Sequence, residues 1–172
     1  PTVVLIECMK KHQRYFPLFA NNKLQPSFLV VADNVTPENQ ATIIAGNQRV
    51  LTARLKDALF FFETDQSQPF DAFTQELNRV VFQKNCGSMQ DKQVRLATIL
   101  GYFVKTKLIS LNKKTYQRIA HLAKADLVTQ MVFEFPSLQG KMGAIYAKLS
   151  GELDTVCQAL EEQYLPAGSH ST

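Results

Sequence analysis

Tryptophan is absent from the 172 residues, and cysteine and histidine are scarce, with three of each. Cys8, Cys86 and Cys157 are far apart and odd in number, which excludes a disulfide framework and suggests a reducing compartment. Cys86 sits beside Gly87, but nothing near it in sequence would make its thiol a nucleophile. His12, His121 and His170 are scattered, so no pair stands at metal-ligand spacing, and His121 falls toward the polar side of its expected helix. A phosphate-cradling glycine loop and a G-x-S-x-G nucleophile turn are both missing. No apolar run reaches the length of a membrane span, and no signal peptide is recognisable. The sequence starts at Pro1 without an initiator methionine, inside what reads as an element, and is expected to be an internal piece of a longer protein.

What is present is unevenly charged. The net charge of +4 divides into +3 over residues 1–32, −3 over 33–83, +8 over 84–124 and −4 over 125–172. The third block holds nine basic residues against Asp91 alone. Such a block beside acidic ones is the footprint expected for a polyanion partner, although solvated lysines on helix surfaces produce a similar count.

Apolar residues at Ile44, Leu51, Leu55, Ala58, Leu59 and Phe62 recur at helical spacing, so Gly46 to Asp65 is expected to be the central packing helix. On its flank, Arg54 and Asp57 are three apart and could form a partly buried pair. Upstream, residues 1–10 are expected to form a short helix. Two β-prone runs, His12–Ala20 and Leu24–Asp33, flank Asn21-Asn22 and read as a hairpin, with Pro17 and Pro26 confined to edges or bulges. Two strands are marginal by themselves, so others are expected from the parent protein or a partner. Thr36-Pro37-Glu38 starts the helical part. The pattern predicts helices over 70–82, 89–107 with Ser88 as cap, 113–135 stopped by Pro136, 144–149 and 153–164, with Gly87 at positive φ. The expected fold is mostly α with a small β-hairpin region: residues 1–35 end a β-rich domain, 36–166 form a helical domain, and 167–172 are a loose tail.

One catalytic pattern is testable in this helical part. Phosphohydrolases of the HD type bind a divalent metal through a separated His, a His-Asp pair and a further Asp. Asp126 stands where such an aspartate would, at the edge of the buried arc, but Ala125 precedes it and no histidine is supplied by the helix before. One carboxylate cannot hold the metal, so a non-hydrolysing scaffold is expected, with no metal and no catalytic residue; a metal-dependent phosphohydrolase is the alternative.

In order along the chain stand MKKHQRYFPLF (9–19), GNQRVLTARLKDALFFFETD (46–65), VFQKNCGSMQDK (81–92), AHLAKADLVTQMVFEFPSLQGKMGAIYA (120–147) and EEQYLP (161–166). Together these resemble the β subunit of bacterial-type tetrameric glycyl-tRNA synthetase, over essentially all 172 residues. The resemblance implies a segment that supports tRNA(Gly) binding, in the cytoplasm and away from any membrane, for a glycine–tRNA ligase whose α subunit, or fused α region, uses ATP and Mg²⁺. It implies the end of a β-rich tRNA-binding domain followed by an HD-like domain lacking its metal motif. No cofactor is expected in the segment itself. The candidate RNA contacts are Lys105, Lys107, Lys113, Lys114 and Arg118, all in the +8 block. The turn Gln139–Gly143 is expected to be structural, its glycines serving backbone geometry and close packing.

Overall fold

Asn21 and Asn22 both take positive φ, 50° and 60°, and close the hairpin between β1 (Phe16–Ala20) and β2 (Lys23–Leu29). The strands are antiparallel, pairing Phe16 with Leu29 and Ala20 with Lys23, with an irregularity between Pro17 and Phe19 where the proline cannot donate. This computed structural model describes residues 1–166 and Gly168, and only the backbone of His12; the expected tail otherwise lies outside the described residues. Both strands are shorter than expected. The chain from Thr2 to Glu7 forms α1 and continues as a π-helical turn over Cys8–His12, which takes His12 away from the first strand. The second strand stops at Leu29, and Val31 beyond it is exposed.

Compactness divides the chain into Pro1–Glu63 and Thr64–Thr172, a later division than the expected one after residue 35. The reason is local. In the first unit, Met9, Tyr15 and Leu51 form the buried cluster, and Leu24, Phe28, Val30 and Leu55 pack on it. Leu51 and Leu55 belong to α2 (Gln40–Asp65), so that helix shares its core with the hairpin. Tyr15 stacks on Phe28 at 5.0 Å and donates its hydroxyl to Asn47 Oδ1 at 2.7 Å. α2 is not the central packing element that its apolar spacing predicts. Leu51 and Ala58 are buried, but Ile44, Val50, Leu59 and Phe60 are exposed, as are Arg54 and Asp57.

The second unit is helical. Phe70–Arg79 forms a run of 3-10 turns rather than an α-helix, burying Phe70, Phe73, Thr74 and Leu77. Val81, expected inward, is exposed and bridges to Ser88 instead. Ser88 caps α3 (Met89–Lys105) through a capping box with Asp91, and Gly87 has φ +80°. The inner face of α3 is only half buried at Ala97, Leu100 and Val104, while Val94 and Leu108, both expected inside, are exposed.

The expected single helix over 113–135 is broken twice. α4 (Lys113–Leu122) ends before Lys124, which takes φ 72°; a 3-10 turn follows over Ala125–Val128, and α5 (Gln130–Glu134) restarts with Thr129 as its cap. The first break is stabilised from α3: the buried Gln93 side chain donates to the carbonyls of His121 and Ala123, which the interrupted helix leaves unpaired. After a short 3-10 turn at Pro136–Leu138, α6 (Lys141–Leu149) and α7 (Asp154–Glu162) pack closely on each other.

Candidate nucleic-acid interface

Asn112 opens α4 by accepting the N–H of Thr115 at 2.9 Å and the Thr115 hydroxyl at 3.0 Å. That cap fixes where the helix begins, and so places Lys113 and Lys114 in its first turn, both exposed. Lys105 ends α3, and Lys107 lies in the connection with φ 59°; both are exposed. α3 and α4 pack against each other, so the four lysines cluster at the connection between two packed helices. Lysines in a first helical turn face the positive end of the helix dipole, an arrangement that favours an anion over further cations. Lys113, Lys114 and Arg118 line one open hollow with Gln117 and His121; Lys105 and Lys107 lie outside it.

Arg118 differs from the four lysines. Its guanidinium holds Glu152, from the α6–α7 connection, through Nε at 2.8 Å and Nη2 at 2.6 Å, and it also bonds Asp71 of the 3-10 run. His121 Nε2 stands 3.2 Å from the same Asp71 oxygen. Two acidic blocks thus supply the partners of one basic residue. The signal for this lies in the charge distribution: nine bases with one acid among them must draw any counter-charge from outside the block. Two further members are also engaged. Lys92 lies 3.9 Å above the Phe82 ring, and Lys124, buried at the α4 break, lies 3.6 Å above Tyr164. Burial, then the charge of Lys92, push the Lys124 ammonium down to about 8, opposed by Asp126.

The Asp71 carboxyl titrates below its ordinary value: burial raises it, but the hydrogen bond and charge of Arg118, joined by His121, outweigh that. A depressed carboxylate stabilises the fold above the unfolded value near 3.8, and that contribution is lost as pH falls through the lower folded value. Asp71→Asn should therefore reduce stability at pH 7, by less than about 1 kcal/mol because the group is half exposed. Urea melts of both proteins should converge as pH falls below 3.8. A gap that persists unchanged into strong acid would show that the ion pair is not its source.

Asp126 is 1% exposed, deeper than the sequence pattern places it. Its Oδ2 accepts the Gly140 N–H at 2.5 Å, and its Oδ1 is buried without a hydrogen-bond partner. Burial raises its carboxyl, against the N–H of Gly140 and the charge of Lys124. Among the described residues, no three His, Cys, Asp or Glu side chains come within range of a common metal ion. The two turn glycines fit the expected structural role. Gly140 has φ +79°, and a Cβ on Gly143 would stand 3.2 Å from the Asp126 carboxyl carbon.

Asp65 reads in the sequence only as a helix end. It is 3% exposed and accepts the N–H groups of Gln130 at 2.7 Å and Met131 at 3.0 Å, and the Tyr146 hydroxyl at 2.7 Å. The one signal for its role is an acidic residue at the apolar end of an amphipathic stretch.

The family model described as "Glycyl-tRNA synthetase beta subunit" matches residues 1–172. The glycine–tRNA ligase beta subunit of Oleidesulfovibrio alaskensis is 44% identical over 172 residues, covering 99% of this chain and 24% of the relative. That of Trichodesmium erythraeum is 42% identical over 176 residues, covering 98% and 24%, and that of Shewanella pealeana 42% over 173 residues, covering 100% and 25%. The chain therefore spans about a quarter of the length of the curated relatives it matches. These matches lend no support to a metal-dependent phosphohydrolase.

Proposed function

The chain belongs to the glycyl-tRNA synthetase beta subunit family, and from this we propose that it is a non-catalytic segment that helps a glycine–tRNA ligase hold tRNA(Gly) during aminoacylation. In this reading ATP, Mg²⁺ and glycine are handled by an α subunit or fused α region, and the whole enzyme works in the cytoplasm. The helical unit is HD-like in descent but takes no metal. The observation that carries the reading is the +8 block over 84–124, whose exposed members gather where α3 turns into α4. Lys105, Lys107, Lys113 and Lys114 contact phosphate. Arg118, held by Glu152 and Asp71, contributes charge to the hollow while tying α4 to its neighbours.

Phosphate contacts give a salt-dependent affinity, because each neutralised phosphate releases condensed counterions. Changing the four lysines to alanine together should weaken tRNA binding across sequences. The slope of log K against log salt should become shallower by roughly one unit for each phosphate no longer neutralised. Gel shifts over a salt series measure both quantities. A variant with the parent's slope and affinity rejects the four lysines as phosphate contacts.

A further inference from the structure

The hollow that holds Lys113 and Lys114 continues into a second one, because Gln117 and His121 line both. The second hollow lies between α3 and α4 and adds Gln90 and the exposed Val94 to its wall. The two ends of this joined groove differ in chemistry. One end carries two exposed ammonium groups, and neither is ion-paired among the described residues. The other end has amide side chains, an imidazole and an apolar wall. Gln90 and Gln117 are both exposed and present donors and acceptors without charge. Asp71, which contacts His121, puts a carboxylate beside that end and makes it a poor place for an anion.

A ligand matching this gradient has an anionic group at one end and a neutral, planar, hydrogen-bonding group at the other. The amide end encloses about 220 Å³, less than the roughly 300–1,000 Å³ of drug-sized sites, which leaves room for one ring system. Glutamine amides read base edges by paired hydrogen bonds, and proteins that read RNA sequence do so on bases splayed out of a duplex. We propose that the α3–α4 groove takes a single unpaired nucleotide of an RNA strand, with its base against Gln90 and Gln117 and its phosphate against Lys113 and Lys114. The inference rests on the RNA-binding reading above and adds base readout to it. Lys105 and Lys107, outside the groove, track the neighbouring phosphates of the same strand.

The test compares a labelled short oligoadenylate with an abasic strand of equal length and charge, by fluorescence anisotropy on the 172-residue chain. Gln90→Ala and Gln117→Ala remove exposed side chains and leave the helix interior intact. Each should weaken oligoadenylate binding about tenfold, the order of one base-edge interaction, with an unchanged salt slope and an unchanged affinity for the abasic strand. Lys113→Ala should weaken both strands alike and lower the slope. Parent and glutamine variants binding both strands equally well would overturn base readout while leaving phosphate binding in place. Equal losses on both strands would also overturn it, because the amides would then act through the fold. Free AMP displacing the strand at micromolar concentration would make the groove a mononucleotide site and reject the strand. A parent chain that binds neither strand would sink the RNA-binding reading itself.

Discussion

Asp65→Ala is expected to destabilise the protein by about 3–4 kcal/mol, because it orphans three donors at once. The Tyr146 hydroxyl is the most costly of them. Tyr146 is 3% exposed and its ring lies 5.8 Å from that of Phe70, so no water can take the place of the carboxylate. Burial first, and the Asp65 carboxylate after it, push the Tyr146 phenol far above its ordinary value and keep it a donor at any working pH. The N–H of Met131 is buried as well, while Gln130 lies nearer the surface and can be rehydrated at lower cost. Each buried orphan costs about 1–3 kcal/mol, and three partly rehydrated ones reach the range given. Asp65→Asn retains one acceptor oxygen and should lose roughly half as much. Urea denaturation of the three proteins orders them. An alanine variant within about 1 kcal/mol of the parent would mean that the carboxylate does not hold α5 and Tyr146 in place.

Local chemistry is readable in the chain; partners distant in sequence are not. Asn21-Asn22, Ser88 with Asp91, Gly87 and Asn112 all act within a few residues of themselves, and each lies where composition and turn chemistry place it. Lys113 to Phe135 carries one uninterrupted helical pattern, yet the chain breaks at Lys124. The break depends on Gln93, thirty positions away, whose amide satisfies carbonyls that a continuous helix would have paired internally. No window of local sequence contains that information. The same holds for α2. Its apolar spacing is real, but spacing does not say how many faces find a partner, and Leu59 and Phe60 do not. At the candidate interface, the lysines are legible from charge alone. Arg118 falls in with them because a count of charges cannot distinguish a free guanidinium from one held by Asp71 and Glu152. Position along the chain says nothing of either carboxylate, since both belong to other elements.

The turn that joins α5 to α6 should be the second most sensitive point, through Gly140. Its φ of +79° with ψ of −54° is open to glycine and strained for any side chain, at a cost of at least about 1–2 kcal/mol. A Cβ there would also stand 3.1 Å from the Glu161 carbonyl oxygen, 3.2 Å from that of Leu160 and 3.0 Å from the Tyr164 ring. Two of those three are backbone atoms of α7 and cannot swing aside. Relief requires α7 to move, or the Gly140 N–H to leave Asp126, which would strand a buried carboxylate already short of one partner. Gly140→Ala is therefore expected to cost about 2–4 kcal/mol. Gly143→Ala should cost less, since its Cβ meets the Asp126 side chain and its backbone is helical. Gly46→Ala, in an exposed turn of α2 with nothing within 4 Å, should stabilise by about 0.5–1 kcal/mol through helix propensity. Thermal melts of the three alanine variants therefore test the sign and the order together. If Gly140→Ala melts with the parent, the close approach of the turn to α7 is wrong, and with it the reason Asp126 is buried.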